Sequence, residues 1–445
     1  MTAQRSCFYA TLGCAKNEVD TDRMKALMQH AGFADAESVE DCDVIIVNTC
    51  SFLSVATQES LEATLELAGI RDASAVRAPI VMCGCVPSRY GDELAHELPE
   101  VSEFVPADQE DSIVEVVSAL LGIETLETVG ARDALRTVEG ASAYVKISDG
   151  CDRFCTFCAI PYIRGRYASR GPDEILSEVR TLLAGGVREI VLIGQDTGIW
   201  GSDLDGDRDL AWLLEQVASA VRPYKGWVRV LYLQPEGMSE RLVGAIRDIP
   251  EVLPYIDIPI QHCSERVLKR MGRRGSVQEL SELFRRLRSE IPGMVLRSTG
   301  LVGFTGETED EFEQLVRFIE DVEFDYTSVF AYSAEDGTAA AKLDGQMSED
   351  VKLERAQRLT DVAESLGFAA TASHVGETVD VIVDGVEQTD AGFELIGHAW
   401  FQAPDCDGAV HIAEGEATVG EVLKCVLVDS FCYELQGEVL RDEGV

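Results

Sequence analysis

Positive charge is what this 445-residue chain has little of: 38 Lys and Arg stand against 79 Asp and Glu, a formal net charge of −41. Such a surface repels phosphate backbones and anionic membranes and suits a basic partner, although general solubility or a salt-rich habitat explains the same imbalance. No Gly-x-x-x-x-Gly-Lys loop and no His-Glu-x-x-His helix is present, which removes P-loop nucleotide hydrolysis and zinc-protease chemistry. No apolar run approaches membrane-spanning length. No secretory signal pattern opens the chain, so its 13 cysteines are expected as thiols in a reducing cytoplasm. The length suits two or three domains with real cores.

What the sequence does have is a dense cysteine loop, Gly150-Cys151-Asp152-Arg153-Phe154-Cys155-Thr156-Phe157-Cys158. It follows an apolar run, Ala143 to Ile147, that reads as a strand. Three thiolates on one loop can hold three irons of a 4Fe–4S cube and leave the fourth iron open to a small molecule. Structural zinc wants four ligands, and no second cysteine pair follows. A thioredoxin-like redox pair at Cys155 and Cys158 competes, but no helix starts after its first cysteine.

Residues 1–137 alternate strand and helix, the pattern of a parallel sheet covered on both faces. Strands are expected at Cys7–Thr11, Val44–Val47, Ile80–Met82 and Val101–Val105. Helices are expected at Glu18–Ala31, Ser54–Ala68, Pro87–Leu98 and Ser112–Leu121. Cys14 follows the first strand, Cys50 the second and Cys85 the third. Parallel strands put their C-terminal ends on one edge, so these three thiols are expected to converge as a second three-thiolate cluster site. Each one alone reads equally as a small buried hydrophobe. Cys83 lies in a strand and points into a face. Cys7, Cys42, Cys263, Cys406, Cys425 and Cys432 read as packing.

Residues 138–370 continue the alternation through six strands, at Tyr144–Ile147, Ile190–Ile193, Val228–Leu233, Ile256–Ile260, Val295–Val302 and Tyr326–Ala331. Helices at Asp173–Ala184, Leu210–Ala220, Ser239–Ile246, Val277–Ile291 and Glu309–Val322 lie between them. This is an incomplete β/α barrel, whose site belongs at the strand C-terminal ends. The cysteine loop falls there, with Gln195 and Asp196, Gln261 and His262, and Gly303 to Thr308. His262 reads as a ligand contact or as a satisfied hydrogen-bonder. Arg164, Arg166 and Arg170 are placed to meet a ligand carboxylate or to solvate the surface.

From residue 371 short strands take over: Thr378–Val383, Glu394–His398, Ala417–Val428 and Cys432–Val439, with turns at Asp384-Gly385 and Asp407-Gly408. Residues 371–445 therefore read as a small β-barrel. From Ala370 onward it carries sixteen acidic residues against Lys424 and Arg441, so direct nucleic-acid binding is not expected. Trp400 and Phe401, beside His398, read as a recognition loop or as core.

Cys151, Cys155 and Cys158 resemble the signature of the radical S-adenosylmethionine (SAM) enzymes. Together with Leu12-Gly13-Cys14-Ala15-Lys16-Asn17, Cys50 and Cys85, the whole chain is similar to the methylthiotransferase family of that superfamily. The resemblance implies an N-terminal cluster domain, a partial (β/α)6 radical SAM barrel and a C-terminal TRAM barrel. It implies two 4Fe–4S clusters, one held by Cys151, Cys155 and Cys158 with SAM on the open iron, the other held by Cys14, Cys50 and Cys85. It places Phe157 near the adenine, with Gln195, Asp196, Gln261 and His262 around the rest of SAM. It also implies two uses of SAM, one to methylate sulfur at the second cluster and one to make a 5′-deoxyadenosyl radical that removes hydrogen from an unactivated carbon. No side-chain acid or base carries that step; a cofactor radical does.

Leu12-Gly13-Cys14-Ala15-Lys16-Asn17, and Gly397 to Gly408, resemble the branch that modifies an aspartate of the twelfth small-subunit ribosomal protein. The implied partners are that basic protein or the small ribosomal subunit, and an electron donor. Asp152-Arg153-Phe154, Thr305 and Gly300 depart from the family's usual residues. Competing readings are a transfer-RNA adenosine methylthiotransferase, an iron–sulfur carrier, and a zinc-stabilised binding module. The first needs a basic surface, the second fully ligated clusters, the third zinc without iron.

Overall fold

The computed structural model describes residues 4–74, 77–124, 136–389, 392–413 and 415–440. Arg441, counted above, lies outside them. In the N-terminal unit the elements are β1 (Ser6–Thr11), α1 (Ala15–His30), β2 (Ala34–Asp35), β3 (Val44–Thr49), α2 (Ser54–Ala73), β4 (Ile80–Gly84), α3 (Cys85–Tyr90), α4 (Asp92–Glu97), β5 (Glu103–Pro106) and α5 (Ile113–Leu121). The strands form one parallel sheet in the order β2-β1-β3-β4-β5. All of β3 is buried, as an apolar run covered on both faces must be.

Two of the boundaries that differ from expectation concern cysteines. Helix α1 begins at Ala15 rather than Glu18, so Lys16 and Asn17 lie on its first turn. The helix expected over 87–98 begins at Cys85 and is broken at Gly91 into α3 and α4.

The middle unit has β6 (Ser142–Lys146), β7 (Ser148–Asp149), α6 (Ile160–Ile163), β8 (Ala168–Ser169), α7 (Pro172–Ala184), β9 (Glu189–Ile193), α8 (Leu210–Val221), β10 (Trp227–Val230), α9 (Glu240–Asp248), β11 (Tyr255–Asp257), α10 (Glu265–Arg270), α11 (Val277–Glu290), β12 (Val295–Val302), α12 (Glu309–Val322), β13 (Tyr326–Ala331) and α13 (Glu349–Ser373). Six parallel strands run in chain order as β6-β9-β10 and β11-β12-β13. The halves join where Leu233 N–H donates to Asp257 O at 2.9 Å. The third and fourth strands stop earlier than expected, because the chain turns at Tyr232 and after Asp257. Helices α10 and α13 were not expected.

The last unit is a closed barrel of β14 (Thr378–Thr389), β15 (Gly392–Ala399), β16 (Val410–Ile412), β17 (Val422–Phe431) and β18 (Glu434–Val439). Asp384-Gly385 is not a turn: β14 runs through it, with a register shift between Val383 and Gly385 that marks a bulge. Cys406 and Cys432 are exposed rather than packed, whereas Cys7, Cys42, Cys263 and Cys425 are buried. Among the described residues no helix is long and apolar enough to cross a membrane.

Alternate residues of each barrel strand face opposite ways. Ile190, Leu192, Ile256 and Leu296 pack against the helices. Val191, Ile193, Tyr255, Val295 and Tyr326 point the other way, into a core shared with Ala399, Phe401 and Ala403 of the C-terminal unit. Tyr255, Val295 and Tyr326 are first residues of their strands, so the 397–408 loop closes the floor of the barrel. Phe401 is buried and its ring stacks on His374 at 3.7 Å. The loop is core rather than a recognition surface.

Ion pairs fix this floor. Asp407 accepts from Tyr255 Oη at 2.5 Å and pairs with Arg297. Glu189 binds Arg229 at 2.6 Å and His398 at 2.7 Å, and Asp384 holds the other imidazole nitrogen at 2.6 Å. Burial pulls the His398 pKa down, but Glu189 and Asp384 outweigh it and raise it from 6.5 to about 9. The stability this contributes is complete below the ordinary value and is lost as pH rises through the raised one. The urea midpoint of the wild type is therefore expected to fall between pH 6.5 and 9 relative to that of H398Q; parallel curves for the two proteins would refute the assignment.

Candidate active site

In a parallel sheet ordered β2-β1-β3-β4-β5, the crevice lies where the order reverses, between β1 and β3. Cys14 and Cys50 follow those two strands. Gly13, at φ +113°, approaches so closely that a Cβ there would lie 2.6 Å from Cys50 Cβ. Asn17 ties the first turn of α1 to the end of β3. Its Nδ2 donates to Asn48 Oδ1 at 3.1 Å and Thr49 O at 2.9 Å, while its Oδ1 lies 3.5 Å from Cys14 Sγ. Cys85 opens α3 and packs with Ala159 and Ile163, just after Cys158. The N-terminal unit thus lies directly on the cysteine loop of the barrel. Cys83 is buried in the sheet core with Met24 and Val105, as expected.

The loop itself is shaped by backbone constraints. Gly150, at φ +68°, admits no side chain, because a Cβ would collide with Arg166 O. Phe154 also adopts a left-handed conformation, φ 47°. Cys151 N–H donates to Gly165 O at 3.2 Å and Thr156 N–H to Met271 O at 2.9 Å. Burial raises the Cys50, Cys151, Cys158 and Cys85 thiols, the last two to about 12 and about 11. Such thiols keep their protons unless a metal displaces them.

A buried ionic lattice joins the two units here. Asp20 of α1 accepts from Lys146 of β6 and from Arg164 Nη1, the latter at 2.5 Å. Asp149 takes Lys146 at 2.7 Å and Arg164 at 3.5 Å, and its Oδ1 accepts from Gly150 N–H at 2.9 Å and Gln195 Nε2 at 3.0 Å. Burial opposes the Asp149 charge, but Lys146 and Arg164 hold its pKa well below the usual carboxylate range. Arg164 Nη2 lies 3.6 Å from Cys85 Sγ. On the other side Glu335, after β13, accepts from Ser54 N–H at 2.9 Å and pairs with Arg89 at 3.0 Å, capping α2.

Of the three arginines that read as ligand contacts or surface charges, Arg164 is occupied as above, Arg170 pairs with Glu174 and Glu178, and Arg166 is exposed and pairs with Asp152. Sequence reasoning missed Lys16 and Arg273, which have no carboxylate partner among the described residues. Burial lowers the Lys16 pKa to about 8. The Arg273 guanidinium donates to Gln234 Oε1 at 2.6 Å and Pro259 O at 2.9 Å. The signal for Lys16 was its place two residues after Cys14; nothing local marked Arg273.

At the strand ends, Asp196 Oδ2 accepts from Arg153 at 2.5 Å, and Arg153 also reaches Glu236 at 3.0 Å. Asp196 Oδ1, Gln195 Oε1 and Ser148 Oγ are buried with no hydrogen-bond partner within 3.5 Å among the described residues. Gln261 has φ 69° and pairs through its backbone with Thr299 and Leu301. His262 is fully buried; its Nδ1 accepts from Cys263 N–H at 3.0 Å and Ser264 N–H at 2.9 Å, so Nε2 carries the proton and faces Glu307 at 3.6 Å. In this structure the imidazole serves the loop that opens α10. Phe157 is half-buried, edge-on to Phe304 at 6.4 Å. Thr305, one of the departures, donates to Asp344 O at 2.6 Å.

Among the described residues no three His, Cys, Asp or Glu side chains are drawn together to hold a single metal ion. A polynuclear cluster spreads its thiolates over several irons. Two sets of three thiols fit that demand, and the orphaned oxygens of Ser148, Gln195 and Asp196 fit a polar ligand beside one set.

The chain matches the Radical SAM superfamily over residues 145–319, the TRAM domain over residues 375–440 and the uncharacterized protein family UPF0004 over residues 6–106. It is 39% identical to the ribosomal protein uS12 methylthiotransferase RimO of Trichlorobacter lovleyi, covering 99% of both chains, and 38% identical to the RimO of Geobacter sulfurreducens, covering 98% of this chain and 99% of the other. Among solved structures it shares its fold with TsrM of Kitasatospora setae, a radical SAM methyltransferase, at a TM-score of 0.56, 14% identity and coverage of 74% and 73% of the two chains. The cobalamin-dependent SAM radical enzyme OxsB gives a TM-score of 0.52 at 12% identity, over 80% of this chain and 56% of that one.

Replacing Arg164 by Gln leaves the Asp20 and Asp149 carboxylates of the junction to share Lys146 as their remaining cation among the described residues. The expected cost is about 3–5 kcal/mol, read as a lower urea midpoint; a change below about 1 kcal/mol, the scale of an exposed pair, would show that the lattice is solvated.

Proposed function

The chain belongs to the ribosomal protein uS12 methylthiotransferases of the radical SAM superfamily, and from that membership we propose that it transfers a methylthio group to the β-carbon of an aspartate in uS12. Membership brings an iron–sulfur cluster and SAM, which together supply, when bound, the one-electron chemistry that an unactivated C–H bond requires. We assign Cys151, Cys155 and Cys158 to the SAM-binding cluster and Cys14, Cys50 and Cys85 to a second one. The observation that supports two clusters facing one cavity is the packing of Cys85 against Ala159 and Ile163.

The chain's own residues do the rest. Gln195, Asp196 and Ser148 offer their unpartnered oxygens to the polar groups of SAM, and Gln261 and His262 border the same mouth. Arg273 is the cation for the SAM carboxylate, and Phe157 offers a ring edge or face to adenine. The Asp20 and Glu335 contacts hold the N-terminal unit over the mouth and exclude water from it. The net charge of −41 favours a basic ribosomal protein over transfer RNA. The domains are 1–137, 138–370 and 371–445, the reaction draws on an external electron donor, and the substrate places the work in the cytoplasm.

The test is anaerobic reconstitution with iron and sulfide, then SAM and a reductant, with uS12 and unmodified transfer RNA offered together and read by mass spectrometry. A methylthio group on an aspartyl peptide is expected; one on adenosine would overturn the substrate assignment. Alanine at Cys14, Cys50 and Cys85 together should remove about half of the bound iron and abolish methylthio transfer while SAM cleavage persists. Full iron content in that variant would remove the second cluster.

A further inference from the structure

Lys16 is a buried cation with no carboxylate in direct contact among the described residues; Asp257 and Asp149 act on it only from beyond ion-pair distance. It sits on the first turn of α1, 8% exposed, with its Nζ 3.0 Å from the centroid of the Tyr232 ring. Tyr232 stands at the barrel mouth beyond β10: its N–H donates to Asp257 Oδ2 at 3.0 Å, and its carbonyl accepts from Thr197 N–H at 3.2 Å, the residue after Gln195-Asp196. Lys16 therefore occupies the space between the Cys14 thiol and the C-terminal ends of β9, β10 and β11. The neighbouring buried cations Lys146 and Arg164 each hold carboxylates; Lys16 holds none among the described residues.

Burying an unpaired ammonium is costly, and an aromatic face recovers only part of that cost. Departures of this kind from local satisfaction concentrate where a ligand supplies the missing group. The ligand that fits is a carboxylate arriving between the second cysteine set and the barrel mouth. An aspartate whose β-carbon reacts carries its carboxylate one bond from that carbon. We propose that Lys16 binds the side-chain carboxylate of the substrate aspartate, and so both selects Asp over Asn and fixes the β-carbon in the mouth. This rests on the function proposed above. The charge-assisted hydrogen bonds it makes are the stronger kind and leave a deficit when one partner is neutral.

Calorimetric titration separates the two readings. The reconstituted enzyme with SAM and no reductant is titrated with uS12 carrying the native Asp, and with uS12 carrying Asn there. The wild type is expected to bind the Asp form about tenfold more tightly. K16Q should lose that preference, and K16R, which keeps the charge, should retain it; the arginine variant keeps the test decisive should glutamine unsettle the junction. An undiminished Asp preference in K16Q overturns the inference. So does weaker SAM binding in K16Q with the Asp preference intact, which would assign the lysine to SAM. No preference in the wild type also overturns it, whereas a wild type that leaves the uS12 aspartate unmodified in the turnover assay brings down the proposed function itself.

Discussion

The Asp20 carboxylate is the interaction on which the rest depends. It comes from α1, is 1% exposed, and is shared by Lys146 and Arg164 of the barrel. Desolvating three charges is repaid only when each finds its partners, so the lattice is satisfied as a whole or fails as a whole. Its members reach both cysteine sets: Arg164 touches Cys85, and Asp149 holds the N–H of Gly150, next to Cys151. The relative placement of two distant motifs is thereby reduced to the geometry of one carboxylate.

The distribution of charge then makes sense. The surface is strongly acidic, yet the cations that line the mouth lie inside, sheltered from exchange among surface carboxylates. Most are paired, and those that are not are informative for that reason. A basic protein drawn to the exterior meets a different field once part of it enters.

Much of this was legible in the sequence. The strand–helix alternation fixed the parallel sheets, and strand ends located Cys14, Cys50 and Cys85 because connectivity alone puts those ends on one edge. The family's two cysteine motifs did the same for chemistry. What could not be read was pairing. Arg164, Arg166 and Arg170 looked equivalent, and Arg164 is distinguished by distant partners such as Asp20, 144 residues away in the chain. Trp400 and Phe401 read equally as a recognition loop or as core, because local pattern cannot reveal that an incomplete barrel needs its floor filled. Asp384-Gly385 looked like a turn because a bulge uses the same residues. Lys16 and Asn17 lay before the helix expected from Glu18, and their burial is tertiary.

The closed floor carries one more implication. With Phe401, Ala403 and Asp407 seated among the first residues of the strands, passage through the barrel from below is blocked. Entry to the mouth is then left to the C-terminal ends of the strands, on the side where the N-terminal unit lies, and to the open edge between β6 and β13.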